Sequence, residues 1–379
     1  MAPVRAGALS RKGELYGRSA ARLPLFHRLP IQMTAPGEIG LLLCGDVMLG
    51  RGVDQVLPHP GDPWLQEHRR NIKDARVFVE LAVQKHGALP QHRDAGYVWG
   101  EALAAFDAFG ADLRLINLET AATARGEPWP GKAIHYRMNP RNADVLTRAG
   151  IDFCALANNH VLDWGHEGLE DTLAALDGAG IRHAGAGHNR RQAVTPAILE
   201  VPGKGRVIVL SLATPSSGVP EGWAAGPDTP GVNRIGLNAE WVDTIRASLP
   251  KSRQAGDIVV VSIHWGDNFG YVGADAQAAF ARRLIDEAGV DLIHGHSSHH
   301  VKGIEVYKGR PILYGCGDFI TDYEGIPKRP ERAHYASELG MAVHARLACD
   351  GGRLIALQIL PTRLRRLQVC RAGAKDAAR

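Results

Sequence analysis

DIVVVSIHW (257–265), DAQAAFARRLIDEAG (275–289) and VDLIHGHSSHH (290–300) set the pattern from which the rest of the chain is read. A β-branched run ends in His264, a helical period follows, and a second apolar run ends in a cluster of histidines. Short apolar runs bounded by turn residues are the signature of buried strands, and the amphipathic stretch between them is a connecting helix. The same alternation extends outward. Strand-like runs lie at 39–46 (IGLLLCGD), 113–119 (LRLINLE), 151–159 (IDFCALANN) and 206–213 (RVIVLSLA), with helical periods at 97–110, 142–150 and 168–180. After residue 300 the runs at 303–309, 311–318, 341–350 and 353–361 read as strands and turns. This order predicts an α/β (α+β) chain with a mixed sheet, or two stacked sheets, flanked by helices.

Composition bounds the answer. The 379 residues, 45% hydrophobic and 22% charged with 44 Gly and 22 Pro, describe an ordinary globular protein and exclude collagen, coiled coil and long disorder. No run of eighteen apolar residues occurs, so no transmembrane segment is expected. The formal charge of +4 is unevenly placed. Residues 1–30 carry Arg5, Arg11, Lys12, Arg18, Arg22 and Arg28 against Glu14, and residues 361–379 carry Arg363, Arg365, Arg366, Arg371, Lys375 and Arg379 against Asp376. Each end is +5 on that count, which leaves the body at −6. The expected organisation is a basic N-terminal extension (1–37), one domain (38–360) and a basic C-terminal tail (361–379). The first segment has scattered arginines and no apolar centre, so it is not read as a secretory signal. No nucleic-acid signature interrupts the body, and no nucleic-acid partner is expected. Cys44, Cys154, Cys316, Cys349 and Cys370 are an odd set without a CxxC pair, three of them in apolar runs. They read as core thiols in a reducing, cytoplasmic setting rather than as a disulfide framework.

The chemistry is carried by what ends the strands. Asp46 closes the first run, Asn117 and Glu119 the second, Asn158, Asn159 and His160 the third, and His264 a later one. His294, His296, His299 and His300 follow VDLI. Ligands bind where the carboxyl ends of strands converge, and five such strands delivering Asp, Glu, Asn or His form a pattern that one would not. Mixed N/O donors without thiolate suit Mn, Fe or Zn, and a pair of such ions with a bridging water turned to hydroxide hydrolyses phosphoesters and amides. Each residue has a simpler alternative: Asp46 as a helix N-cap, His264 beside Trp265 as a satisfied core histidine, the Asn158–Asn159–His160 run as a turn. Adjacent histidines diverge, so one of His299 and His300 is a ligand, and His299 is chosen. Asp163, three residues beyond His160, is placed to orient it as a general acid. Arg51 and Arg137 are the candidates for holding an anionic substrate oxygen. HEGLED lacks a second His at i+4, which rejects a zincin; His294-x-His296 comes too late in the chain for an amidohydrolase HxH.

These residues in this order resemble the CapA family, named for bacterial poly-γ-glutamate capsule synthesis, within the calcineurin-like metallophosphatase superfamily. The matching strings are GDVMLGRGVD (45–54), NLET (117–120), ALANNHVLDWGHEGLEDTL (155–173), GAG (185–187), SIHWGDN (262–268) and VDLIHGHSSHHVKGIEVYKGRPILYGCGDF (290–319). The resemblance implies a metallophosphatase-like four-layer αββα sandwich of two mixed sheets flanked by helices. It implies metal positions at Asp46, Glu119, Asn159, His264, His296 and His299, with His160 as general acid. Two divalent transition ions (Mn, Fe or Zn) are the implied cofactor. Three departures stand out: no Asp-x-His opening follows Asp46, GHSSH replaces GHHPH, and Gly317–Asp318–Phe319 replaces Gly-Asn-Phe, adding a carboxylate. The functional expectation is a metal-dependent hydrolase in poly-γ-glutamate biosynthesis, acting on a phosphoester or γ-glutamyl amide with a metal-activated water as nucleophile. Its substrate is a small molecule or a polyglutamate-type chain, and capsule-synthesis machinery is the expected partner. The alternative is a non-catalytic polymer-binding or assembly component that keeps the fold.

Overall fold

The structure is a computed structural model that describes residues 34–378 apart from 36, 68–71, 252, 255, 271–273, 328, 329 and 331–333. Most of the expected N-terminal extension lies outside the described residues.

In chain order the main elements are β1 (Glu38–Val47), α1 (Arg76–His86), α2 (Ala102–Phe109), β2 (Leu113–Leu118), β3 (Phe153–Ala155), α3 (Gly165–Gly178) and β4 (Arg182–Ala184). Then come β5 (Ala197–Val201), β6 (Gly205–Ala213), α4 (Ala239–Ser248), β7 (Ile258–His264), α5 (Ala274–Ala288) and β8 (Leu292–His296). The chain closes with β9 (Ile304–Tyr307), β10 (Arg310–Leu313), β11 (Asp318–Ile320), β12 (Leu339–Ala348), β13 (Leu354–Arg365) and β14 (Gln368–Arg371). The first sheet has the order β14-β13-β12-β1-β2-β3-β4, with β11 also paired to β1; the second has the order β5-β6-β7-β8-β10-β9. Both are mixed. β1, β2, β3 and β4 run parallel while β12 meets β1 antiparallel, and β6, β7, β8 and β10 run parallel between antiparallel edges.

The layering follows from the two-residue period of a strand. In β1, Leu41 and Leu43 point into a core shared with Phe153, Val207, Val260 and Leu292, so the two sheets face each other. Leu42 and Cys44, one residue out of step, pack with Phe106 of α2 and Leu169 and Leu173 of α3 on the outer face of the first sheet. Ile208, Val259 and Val261 pack with Val242 of α4 and Phe280 and Leu284 of α5 outside the second. Strands buried on both faces read as unbroken apolar runs, which is why IVVVSI shows no polar alternation. In α5, Gln277, Phe280, Ala281, Leu284, Ile285 and Ala288 are the buried side, the spacing of a single helical face. The result is the four-layer αββα arrangement that the family resemblance implied, and of the two arrangements left open by the order of strands and helices it is the pair of stacked sheets.

The C-terminal reading changes. β13 runs on to Arg365 and β14 covers Gln368–Arg371, with Leu364, Val369 and, in the turn between them, Leu367 buried. Leu360, Thr362 and Leu364 are buried at every second position, the period of a strand with one face in the core, so the sheet continues past residue 360. All five cysteines are free, and Cys44, Cys154 and Cys316 are buried. Among the described residues, no helix is long and apolar enough to cross a membrane.

Candidate metal centre

The carboxyl ends of strands from both sheets meet at one place. Asp46 sits beside Asn117 of β2 on one side and Asp318 of β11 on the other, while His264 of β7 is in register with His296 of β8. The approach of β1 to β11 requires glycine: a Cβ on Gly45 would stand 1.8 Å from the Gly317 carbonyl oxygen. After β8 the backbone turns sharply through Ser297 (φ 90°) and His299 (φ 51°), and Arg51 after β1 has φ 51°. Left-handed conformations cost non-glycine residues free energy and gather at functional sites. Here the turn brings His299 back over the strand ends that carry His296.

Two groups of ligand-type atoms form around Asp46, each with its atoms within 4.8 Å of one another: Asp46, His264 and His296, and Asp46, His299 and Asp318. His264 Nδ1 lies 2.8 Å from His296 Nδ1, and its Nε2 lies 3.0 Å from Asn159 Oδ1 and 3.8 Å from Glu119 Oε1. His299 Nδ1 lies 2.6 Å from Asp318 Oδ1 and 3.9 Å from Asp46 Oδ2. Asn117 donates to Asp46 Oδ1 at 2.8 Å and the Ser297 amide donates to Oδ2 at 3.2 Å. All six implied metal positions therefore converge. His299, not His300, faces the group; His300 Nε2 accepts from the Gly270 amide instead.

The electrostatics are those of a site built for cations. Burial pushes the Asp46 carboxyl up to about 6 against the charges that favour it. Glu119 is pushed well above the usual carboxylate range by burial and then by Asp46 and Asp318. Burial and neighbouring imidazoles hold His264 and His296 well below the usual range, which keeps them neutral and able to ligate. Two fully buried carboxylate oxygens, Glu119 Oε1 and Asp318 Oδ2, have no hydrogen-bond donor among the described residues. Buried carboxylate oxygens are costly unless paired or metal-bound, so the donor set fits divalent ions. Carboxylate, amide and imidazole donors without thiolate agree with a transition metal of the Mn, Fe or Zn kind.

Beside this group, His160 Nδ1 lies 2.5 Å from Asp163 Oδ2, and His160 Nε2 lies 3.8 Å from Glu119 Oε1. Burial brings His160 down to about 4. Asp163 feels burial first, but His160 and Lys132 outweigh it and hold the carboxyl below its ordinary value. The Lys132 ammonium lies 2.5 Å from Asp163 Oδ1, donates to the Asn159 carbonyl and sits 4.6 Å from the Trp223 ring centroid. Sequence reasoning missed Lys132, because GKAIHYR has no strand or helix period to place it. Asn158 is spent internally: its Oδ1 accepts from the His160 and Val161 amides and its Nδ2 donates to Asn117 Oδ1 and the Leu118 carbonyl.

The other candidates lie around this centre. His294 Nε2 donates to the Cys44 carbonyl at 2.7 Å and its Nδ1 faces Ser262 Oγ at 3.2 Å, so it is a strut between the two sheets. Arg51 turns away from the metal groups. Its guanidinium is buried, donates to Glu67 at 2.6 Å and to both oxygens of Asp322, and packs on Phe78 and Tyr136. A substrate oxygen would have to displace two buried carboxylates to reach it. Arg137 lies over the Trp164 ring at 3.8 Å, with its Nη2 3.7 Å from Asp62. The 58–95 stretch supplies Glu67 to Arg51, and in 214–236 the Thr214 amide donates to the His264 carbonyl at 3.0 Å.

The family model "Bacterial capsule synthesis protein PGA_cap" matches residues 40–323. The chain is 48% identical over 343 residues to the "Probable polyglutamine synthesis accessory protein" of Mycobacterium tuberculosis, covering 90% of this chain and 89% of that one. It is 33% identical to the "PGA biosynthesis protein CapA" of Bacillus subtilis, over 73% of this chain and 62% of the relative. A crystal structure of a novel phosphatase from Mycoplasma pneumoniae superposes with a TM-score of 0.48 at 13% identity, over 92% of this chain and 98% of that one. With the family model spanning the strand ends from Asp46 to Asp318, the chain belongs to the PGA_cap family of bacterial capsule synthesis proteins.

Proposed function

We propose that this protein is a metal-dependent hydrolase serving poly-γ-glutamate or capsule synthesis, acting on a phosphoester or γ-glutamyl amide. The observation that carries the reading is the meeting of two carboxylate–histidine groups at Asp46, next to buried carboxylate oxygens that no donor among the described residues satisfies. Asp46, Glu119, Asn159, His264, His296, His299 and Asp318 are the residues that would hold two divalent transition ions. When bound, such ions supply an acidified water and neutralise charge that develops on the scissile group. His160 is assigned as general acid toward the leaving group. Asp163 fixes the imidazole through Nδ1, leaving Nε2 on the Glu119 side, and Lys132 keeps Asp163 ionised. Arg137 is the remaining basic candidate for a substrate anion. The five free cysteines support a reducing, cytoplasmic setting.

The name of the Mycobacterium tuberculosis relative, an accessory protein, favours a second reading. In it the chain binds polymer or synthesis machinery and performs no chemistry. One experiment separates the two: metal content by elemental analysis, together with turnover of phosphoester and γ-glutamyl peptide panels by wild type and His160→Ala. The hydrolase reading expects close to two ions per chain and loss of turnover in the variant at unchanged metal content. A wild type that stays metal-free after reconstitution with Mn, Fe and Zn refutes it.

A further inference from the structure

Two tyrosines that the sequence did not single out span the site. Tyr136 is fully buried, and its ring meets the His160 ring edge-to-face at 4.7 Å. Tyr323, five residues after Asp318, meets the His299 ring edge-to-face at 5.7 Å. Their hydroxyls are 3.3 Å apart, with Tyr136 donating to Tyr323. The pair thus runs from the assigned general acid to a candidate metal ligand. Arg51 stands behind both, 4.4 Å from the Tyr136 ring and 5.9 Å from the Tyr323 ring. It is fixed there by Glu67 and by Asp322, the neighbour of Tyr323 in sequence.

This arrangement decides where the second proton points. Since Tyr323 Oη accepts from Tyr136, its own hydrogen is directed elsewhere. Neither Glu119 Oε1 nor Asp318 Oδ2 receives it, and no acceptor for it occurs among the described residues. Tyr136 is closed off, whereas Tyr323 keeps some solvent exposure. We infer that the Tyr323 hydroxyl is a hydrogen-bond donor to the substrate oxygen that gains charge during hydrolysis, and that Tyr136 and Arg51 are positioning residues for it. The inference rests on the hydrolase reading and extends it. It names the recognised group as a tetrahedral, oxygen-rich anion such as a phosphoryl group or the adduct of an amide. It also places that anion between His160 and His299. No proton leaves the phenol and no bond to it forms; a neutral donor aimed at developing negative charge acts through a preorganised hydrogen bond.

The test uses full-length protein reconstituted with Mn(II), with inorganic phosphate as the binding probe in calorimetry and p-nitrophenyl phosphate as the turnover probe. Tyr323→Phe is expected to keep the wild-type metal content, to weaken phosphate binding about tenfold and to lower turnover on the order of 100-fold. Tyr136→Phe is expected to give a smaller loss of phosphate affinity that disappears in the Tyr323→Phe background, as required if it acts only through Tyr323. Wild-type phosphate affinity in Tyr323→Phe overturns the inference, as does an equal Tyr136→Phe effect in both backgrounds. A wild type that loads metal but does not bind phosphate overturns it while leaving the metal centre standing. A wild type that takes up no metal refutes the hydrolase reading itself, and the inference falls with it.

Discussion

Replacing Asp46 by asparagine should stabilise the metal-free protein at neutral pH and destabilise the metal-loaded one. The Asp46 carboxyl is completely buried and pushed from 3.8 up to about 6. The folded state therefore holds a proton there that the unfolded chain releases near pH 4. Because the folded value is the raised one, stability from this group is full at pH 4 and is lost as pH rises to about 6. The interval corresponds to about 3 kcal/mol. Asparagine resembles the protonated acid in charge and keeps an acceptor for Asn117, but its amide nitrogen cannot accept from the Ser297 amide, so Asp46→Asn should be less stable than wild type at pH 4 by about 1 kcal/mol. Between pH 4 and pH 7 in EDTA the variant should gain about 3 kcal/mol on wild type and so become the more stable of the two. With Mn(II) or Zn(II) in excess the order reverses. A ligand at 1,000 times its Kd adds about 4 kcal/mol to a protein that binds it only when folded, and a neutral amide at this position no longer anchors either group. Urea unfolding at pH 4, 5, 6 and 7, with EDTA and with metal, reads all of this. A pH-independent difference in EDTA, or a wild type that is the more stable at pH 7 without metal, would refute the reasoning.

Other expectations follow from the same structure. Asp318→Asn should weaken divalent-ion binding at the Asp46–His299–Asp318 group by 10- to 100-fold while the group with His264 and His296 keeps its affinity, as a biphasic metal titration would show. Lys132→Met removes the partner of a fully buried carboxylate and should cost about 2 kcal/mol in urea unfolding. It should also raise the His160 pKa, since the Lys132 charge lowers it, and so move the alkaline limb of the pH–rate profile to higher pH. Gly45→Ala drives a Cβ against the Gly317 carbonyl and should cost more than about 3 kcal/mol, seen as lost soluble yield. Gly178→Ala, in the last turn of α3 with nothing within 4 Å, should instead raise stability by about 0.5 kcal/mol.

What was legible in the sequence had a period or an ending to announce it. Asp46, His264 and His296 each close a strand-like run rich in apolar residues, and a run buried on both faces that stops at a polar side chain marks the mouth of a parallel sheet. Adjacency said only that His299 and His300 diverge, not which of them faces the site. The residues that were missed act across long sequence distances through loops. Lys132 reaches Asp163, Tyr136 reaches Tyr323, and Arg51 finds its carboxylate 271 positions away in Asp322. Nothing local in those loops specifies the partner, so Arg51 looked like a free anion binder when it is a buried tie. The C-terminus shows the reverse error. Its charge suggested a solvated tail, yet Leu360, Thr362 and Leu364 are buried at every second position with Arg363 and Arg365 out of step with them, and that period of two signals a strand.

Asp46 and Asp318 are register partners in adjacent strands although most of the chain lies between them. A ribosome-bound chain that has not yet released β11 carries two of the three members of the Asp46–His299–Asp318 group and none of its closing strand. Completion of that group is therefore a late event in the making of the molecule. It requires that the first strand has waited, unpaired on one side, for a partner made about 270 residues later.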